Sequence, residues 1–139
     1  MAIKSPKQKG SGGEYEIIAL LTLWAQAVGV PLKLERNLEQ VRYGGSDING
    51  VTGLEIEVKR VENGSVPAFW AQVSKAAAKT GKTPMLAHRK NRQPWKFRVR
   101  TTVAFHNDLS GSWQLVQIEV DLEQAQAKIW FQNYVQVFC

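Results

Sequence analysis

Two acidic residues and a lysine lie in a stretch that predicts two neighbouring strands. Asp47 and Ile48 form one strand-like piece, and Glu57 and Lys59 lie in the next one, residues 54–60. The intervening Asn49-Gly50 suits a turn that needs positive φ, so the two pieces are predicted to pair as a hairpin or near-hairpin. This pairing would bring the carboxylates of Asp47 and Glu57 within reach of one hard cation.

The chemistry predicted for this stretch is metal-assisted attack on a phosphate. Magnesium is bound by one or two carboxylates together with waters and phosphate oxygens of the substrate. In an alternating strand Lys59 projects from the same face as Glu57, where its ammonium could steady phosphate charge or orient an attacking water. The alternative is an exposed sheet face on which Glu55, Glu57 and Lys59 are merely solvated.

The elements that must position these residues follow from the spacing of apolar side chains. Gly81 is expected to cap the second helix, and Asp121, with Gln124 three residues on, is expected to cap the last one. The order of elements predicts a single α/β domain, a small mixed β-sheet flanked by helices. The predicted helices cover residues 14–30, 67–80 and 121–136, and the predicted strands cover residues 32–36, 54–60, 83–88, 95–106 and 113–120.

Composition limits the class of protein. A chain of 139 residues with 44% hydrophobic and 22% charged residues fits one globular domain with a single core. No apolar run reaches the roughly 20 residues that span a bilayer, and no signal peptide is predicted. The one cysteine, Cys139, excludes a disulfide framework, so a reducing, intracellular compartment is expected.

The net charge of +6 is unevenly distributed. Residues 1–13 are rich in glycine and carry three lysines and no acid, which predicts a flexible basic arm that either follows a phosphate backbone or has no role. Residues 61–107 carry nine Lys or Arg residues, and Glu62 is the only acid among them. Such a basic surface attracts a polyanion such as nucleic acid, although it could also serve solubility alone.

Four short motifs follow one another along residues 9–72. They are KGSGGEYEI at residues 9–17, GSDI at residues 45–48, EVK at residues 57–59, and Gln72 in the second predicted helix. In this order and spacing they resemble the PD-(D/E)xK nuclease superfamily, and within it the Holliday-junction resolvases of archaea and some phages. Ser46 stands where the name of the motif has proline.

The resemblance implies a restriction-endonuclease-like core in a nuclease domain of residues 14–139, and a role for each matched residue. Lys59 would position or activate the water, and Gln72 would help to orient the site. Glu14 or Glu16 would supply a carboxylate from the first helix, and the register favours Glu14. The implied ligands of Mg²⁺ or Mn²⁺ are Asp47, Glu57, the backbone carbonyl of Val58, and Glu14.

The resemblance also implies hydrolysis of a DNA phosphodiester by water, without a covalent intermediate. Resolution of a four-way junction needs two symmetric nicks, which implies a homodimer, acting in the cytoplasm of a prokaryotic cell or a phage-infected host. The rivals are a nicking or restriction-type nuclease acting on other DNA forms, and a non-catalytic nucleic-acid-binding module of the same fold. No membrane partner is expected.

Three further groups of residues are candidates for contacts. His88 and His106 lack the spacing of metal ligands and are not expected to bind one. The aromatic residues of the C-terminal third are expected to fill the core or to form the dimer surface; they are Trp113, Trp130, Phe131, Tyr134 and Phe138. The residues predicted to contact DNA are Lys4, Lys7, Lys9, Arg60, Lys75, Lys79, Arg89, Lys90 and Arg92.

Overall fold

The computed structural model describes residues 6–38, 46–60, 62 and 64–139, with side chains from residue 12 onward. Three helices and six strands follow one another along this part of the chain. They are α1 (Pro6–Ala27), β1 (Glu35–Arg36), β2 (Ile48–Asn49), β3 (Leu54–Arg60), α2 (Val66–Thr80), β4 (Thr83–Arg89), β5 (Lys96–Asn107), β6 (Ser112–Glu123) and α3 (Gln124–Phe138).

The strands form one mixed sheet in the order β1-β2-β3-β4-β5-β6. Only β3 and β4 are parallel among the described pairs, and α2 connects them. Parallel neighbours need such a crossover, whereas the antiparallel neighbours follow directly along the chain. The prediction of a single α/β domain with a small mixed sheet is confirmed, and the architecture is that of a restriction-endonuclease-like core.

The sheet is covered on both faces. On one face α1 and α3 pack on the apolar side chains of β3, β4 and β5, with the ring of Trp24 lying 5.8 Å from Phe97 and 6.4 Å from Phe131. On the other face α2 packs Trp70 and Val73 on Leu86 of β4. Because β3 lies between these layers, its apolar residues face α1 and its polar residues face α2.

Local signals in the sequence fix α2. The hydroxyl of Ser65 accepts a hydrogen bond from the backbone N–H of Ala68, which caps the helix start, and Pro67 suits the first turn. At the other end Gly81 takes a left-handed conformation and donates its N–H to the carbonyl of Ala77. The predicted helix at residues 67–80 and its glycine cap are therefore confirmed to within one residue.

The connection between β2 and β3 depends on two glycines. Gly50 has φ +120°, and a Cβ atom there would lie 2.4 Å from the carbonyl oxygen of Lys33. Gly53 has φ +77°, and its Cβ would lie 2.6 Å from the hydroxyl of Tyr134, which donates a hydrogen bond to the carbonyl of Thr52. The turn is thus held from both sides, which sets the position of the strands that it joins.

Three predicted boundaries differ from the structure. Helix α1 begins at Pro6 rather than at residue 14, so the predicted flexible arm overlaps its first turns, and only residues 1–5 of that arm lie outside the described chain. Strand β1 is two residues long. The cap of the last helix is Glu123, in a capping box with Gln126, and not Asp121, because β6 stays paired with β5 up to Glu123.

In the described part of the chain, no helix is long and apolar enough to cross a membrane.

Candidate active site

Asp47 is held at the start of β2 by the neighbouring strands. Its backbone N–H donates to the carbonyl of Ile56 at 2.7 Å, and its carbonyl accepts from the N–H of Asn37 at 2.8 Å. Its buried carboxylate accepts a hydrogen bond from the N–H of Val58 at 2.8 Å. The predicted pairing therefore holds: Ile48 lies opposite Ile56, and Asp47 reaches the middle of β3.

Glu57 and Lys59 lie on the face of β3 that α2 covers. The Lys59 Nζ atom is 3.4 Å from the Glu57 Oε1 atom and 5.3 Å from the centre of the Phe69 ring on α2. A cation above an aromatic face is held by the charge distribution of the ring. The alternative of a merely solvated sheet face is wrong, because both side chains are largely shielded between β3 and α2.

The environment of Glu57 favours the neutral form of its carboxyl over the ionised form. Burial is the main cause, and the charge of Asp47 adds to it, so the pKa of Glu57 rises from 4.5 to about 7 although Lys59 acts in the opposite sense. Two carboxylates that share a poorly hydrated position repel each other unless a cation lies between them. A cation bound between the two carboxylates would relieve this repulsion.

Glu55, two residues before Glu57, is deeply buried, which is unusual for a carboxylate side chain. Only 1% of it is exposed. Its Oε2 atom accepts a weak hydrogen bond of 3.4 Å from the hydroxyl of Thr80, and its Oε1 atom has no partner among the described residues. Glu55 and Glu57 thus both face α2, two residues apart along β3.

Glu14 is buried but is not gathered with the other two acids. Its carboxylate pairs with the guanidinium of Arg36 on β1 at 2.5 Å, and this contact raises the pKa of Arg36. In the described part of the chain no group of three or more histidine, cysteine or acidic side chains could hold a metal. A ligand role for Glu14 therefore stays a prediction, and it would require the pair with Arg36 to open.

The other candidate from α1, Glu16, serves a different cluster. It accepts hydrogen bonds from Arg89 and from the indole N–H of Trp95, both at 3.0 Å. The guanidinium of Arg89 also lies 4.8 Å from the Trp95 ring. Glu16 thus joins α1 to the ends of β4 and β5, and the preference for Glu14 over Glu16 as the site carboxylate stays a prediction.

Gln72 lies on α2 and is exposed. The helix runs back along β3, so that Thr80 meets Glu55 and Phe69 meets Lys59. Residues three apart share a helix face, which places Gln72 one turn beyond Phe69, in the part of α2 that passes Glu57. Its role in orienting the site stays a prediction.

The residues predicted to contact DNA fall into two groups. Arg60 and Arg89 belong to the body of the protein. The aliphatic part of Arg60 packs against Gly13, where an added Cβ atom would lie 2.9 Å from the Arg60 Cδ atom. Arg89 is the last residue of β4. The exposed cations are Lys75 and Lys79 on α2 and Lys90 and Arg92 after β4. Lys4 lies outside the described residues, as do the side chains of Lys7 and Lys9.

Not every cation of residues 61–107 is free to face a polyanion. Arg98 forms two hydrogen bonds with Asp121, at 2.7 and 3.0 Å, and Arg100 pairs with Glu119 at 3.2 Å. Arg98 lowers the pKa of Asp121 accordingly. The acids come from β6, which lies beside β5 but far along the chain, so the count of charges in residues 61–107 overstated the basic surface.

Two residues that support the site were not singled out from the sequence, and a third, Ser46, was noted only for its departure from the motif name. Arg36 binds Glu14, Phe69 lies against Lys59, and the hydroxyl of Ser46 accepts the N–H of Ile56 at 3.2 Å. Ser46 therefore ties β2 to β3 at the position where the motif name has proline. Its place directly before Asp47 was the one available signal.

Comparison with known proteins agrees with this geometry. A family model described as "Phage putative PDDEXK endonuclease" matches residues 5–138. No curated protein and no solved structure matches the chain.

Proposed function

The chain belongs to this family of phage PDDEXK endonucleases, and on that premise we propose that it is a metal-dependent DNA endonuclease that resolves four-way junctions. One observation carries the proposal: the carboxylates of Asp47 and Glu57 lie close together beside Lys59, and the pKa of Glu57 is raised to about 7. A protein that only bound DNA would gain nothing from two repelling carboxylates near phosphates, whereas a cation between them removes the repulsion.

The donor set fits Mg²⁺ or Mn²⁺. Asp47 and Glu57 would hold the ion, with the backbone carbonyl of Val58 and with Glu14 as further proposed ligands. Two carboxylates suffice for magnesium, which keeps several waters and takes phosphate oxygens of the substrate. When bound, such an ion polarises the phosphate and stabilises the leaving oxygen.

Lys59 is the proposed positioning group for the attacking water. Its ammonium is held between the carboxylate of Glu57 and the ring of Phe69, so its N–H donors have a fixed direction. A fixed donor needs no reorganisation when charge develops on the phosphate. Gln72, in the adjacent turn of α2, is proposed to orient the water or the phosphate from the helix side.

DNA is proposed to approach the ends of β3 and β4. These parallel strands end together, with Arg60 opposite Arg89, so the carboxyl ends of both strands lie side by side. Lys90 and Arg92 are exposed there, and phosphate contacts of this kind fix position without reading sequence. The exposed lysines of α2 and those near the N-terminus, Lys4, Lys7 and Lys9, are proposed to extend this surface.

Paired nicks in a junction require two active sites, and we therefore include a homodimer in the proposal. Phage DNA is processed in the host cell, so the proposed location is the cytoplasm of the infected host.

The test is a cleavage assay on labelled four-way junction and on matched linear duplex, each with Mg²⁺, with Mn²⁺ and with EDTA. We expect symmetric nicks in the junction alone, and only with metal. The Asp47→Asn variant, assayed in parallel, excludes a contaminating nuclease if its nicks disappear.

Equal cleavage of the linear duplex would support the nuclease activity but refute the specificity for four-way junctions. Binding of the junction without cleavage under any metal would refute the nuclease and favour the binding module.

A further inference from the structure

Beyond Thr101, strands β5 and β6 leave the body of the protein as an arm, which we define as residues 102–117. The indole N–H of Trp130 on α3 donates to the hydroxyl of Thr101 at 3.3 Å. From residue 102 to residue 117 every residue except the half-buried Val103 is exposed. Six residues per strand give the arm a length of roughly 20 Å.

Hydrogen bonds and a ring contact hold the turn at the tip of the arm. The side-chain oxygen of Asn107 accepts hydrogen bonds from the N–H groups of Leu109 and Ser110. Gly111, with φ +70°, donates its N–H to the carbonyl of Asn107. Behind the turn the rings of His106 and Trp113 meet edge to face at 5.1 Å. A rigid element loses little conformational entropy when a partner covers it.

Large apolar side chains cover the arm. The exposed fractions are 53% for Phe105, 100% for Leu109, 65% for Trp113, 73% for Leu115 and 43% for Val116. With the neighbouring end of α3 they expose apolar surface on the order of 800 Å², which is the area that each partner contributes to a stable interface. A surface of this size on a monomer marks a contact site.

The apolar surface of the arm continues onto α3. A cavity of about 580 Å³ at the base of the arm is lined by Thr102 and Gln117 of the arm and by Tyr134, Val137 and Phe138 of α3. Val137 and Phe138 are themselves 72% and 59% exposed. Trp113 and Leu115 share the arm face of Thr102 and Gln117, so this face and the end of α3 form one surface, whereas Phe105 and Val116 lie on the opposite face of the arm.

The outer edge of β6 lacks the usual protection against pairing. β6 is the last strand of the sheet, and its register with β5 runs without a bulge from Glu123 to Ser112. Residues 112–118 contain no charged residue and no proline, although charges, prolines and bulges are what normally keep an edge strand from pairing with another chain.

The charge of this region argues against DNA as the occupant. No lysine or arginine occurs in residues 101–127, while Asp108, Glu119, Asp121 and Glu123 do. A phosphate backbone is bound through cations. For two copies of a chain with net charge +6, by contrast, a surface without cations is where they approach with the least repulsion.

We propose that the arm is the interface of a homodimer, in which the β6 edges of two copies pair antiparallel about a two-fold axis. Antiparallel pairing of identical strands satisfies two-fold symmetry, because each contact of residue i in one copy with residue j in the other is repeated with the two copies exchanged. The pairing joins the two sheets through residues 112–118, and the apolar side chains of the arm and of α3 pack around the joint.

This interface gives the proposed function, on which its role rests, a defined geometry. The site on β3 lies three strands away from β6 in each copy, so the dimer leaves both sites open to DNA and relates them by the same two-fold axis.

The test measures mass in solution, without DNA or metal, by light scattering after size-exclusion chromatography. The wild-type chain is expected at twice its monomer mass, and the double variant Trp113→Arg, Leu115→Arg at the monomer mass. Leu23→Arg is the matched control, since Leu23 is 62% exposed on α1 and outside the arm, and it is expected to remain dimeric. All three side chains are exposed, so folding is preserved, which circular dichroism checks.

Amide hydrogen exchange provides a second readout. Residues 112–118 are expected to be protected at high protein concentration and to lose this protection on dilution. A monomeric wild-type chain, a double variant that stays dimeric, or an edge without concentration-dependent protection would each overturn the proposal. Because no step requires cleavage, these results stand apart from the nuclease assay.

Discussion

Strand β3, inside the sheet, and the arm at its β6 edge invert the usual distribution of polarity in opposite ways. At β3 the sheet is covered on both faces, and there it buries Glu55 and shields most of Glu57 and Lys59 from solvent. In the arm it is covered on neither face, and there it exposes Phe105 and Trp113. Buried charge and exposed apolar surface both oppose stability. A chain retains such costs where they serve function, which agrees with the proposed catalytic site at β3 and the proposed partner surface on the arm.

The largest effect is expected from removing one carboxylate of the buried pair. Asp47→Asn or Glu57→Gln should abolish cleavage, a loss on the order of 10³-fold or more, because the cation loses one of its two main ligands. Junction binding should persist or improve, since a negative charge near phosphates is gone. Gel-based cleavage and binding assays measure both.

The matched control is Glu35→Gln, which changes an exposed carboxyl at the edge of the same sheet and should leave the rate unaltered. Cleavage by Glu57→Gln at the rate of the wild type would refute the site.

A smaller loss is expected from Lys59→Ala. It removes the ammonium between Glu57 and Phe69 but leaves the carboxylates, so the rate should fall on the order of 10²-fold while metal binding remains. Single-turnover cleavage together with calorimetric titration of Mn²⁺ separates the two effects. Loss of metal binding in step with the rate would mean that Lys59 maintains the site rather than acting on the substrate.

The smallest effect concerns stability and its dependence on pH. In the folded protein the pKa of Glu57 is about 7 instead of 4.5, so folding favours the protonated carboxyl. This contribution is fully present below pH 4.5 and is lost as the pH rises through 7. Without metal, Glu57→Gln should therefore exceed the wild type in free energy of unfolding at pH 8, on the order of 2 kcal/mol, and match it near pH 4.5.

Urea unfolding in EDTA at both pH values measures this difference, and the exposed Glu35→Gln should show none. If Glu57→Gln raised the free energy of unfolding equally at both pH values, the increase would come from packing and not from charge.

The sequence predicted the parts of the site that depend on local pattern. The alternation of residues 54–60 predicted β3 with its observed bounds, and the neighbouring glycines predicted the turn that brings Asp47 to Glu57. Motif order predicted the family, because it preserves the spacing of the elements between the matched residues.

The remaining features depend on docking between distant segments. Alternation places Glu55 and Glu57 on one face but does not say that α2 covers it. The pair of Glu14 with Arg36 and the pair of Arg98 with Asp121 each join residues more than twenty positions apart. Glycines at positions 10, 12 and 13 disfavour a helix, and α1 nevertheless extends through them.

The order of the strands has an evolutionary consequence. Strands β4 and β5 separate the β3 site from the β6 edge by about 15 Å. Substitutions that reshape the arm are therefore expected to leave the carboxylates and the lysine in place, so selection can change the proposed interface while the proposed catalytic strand stays the same.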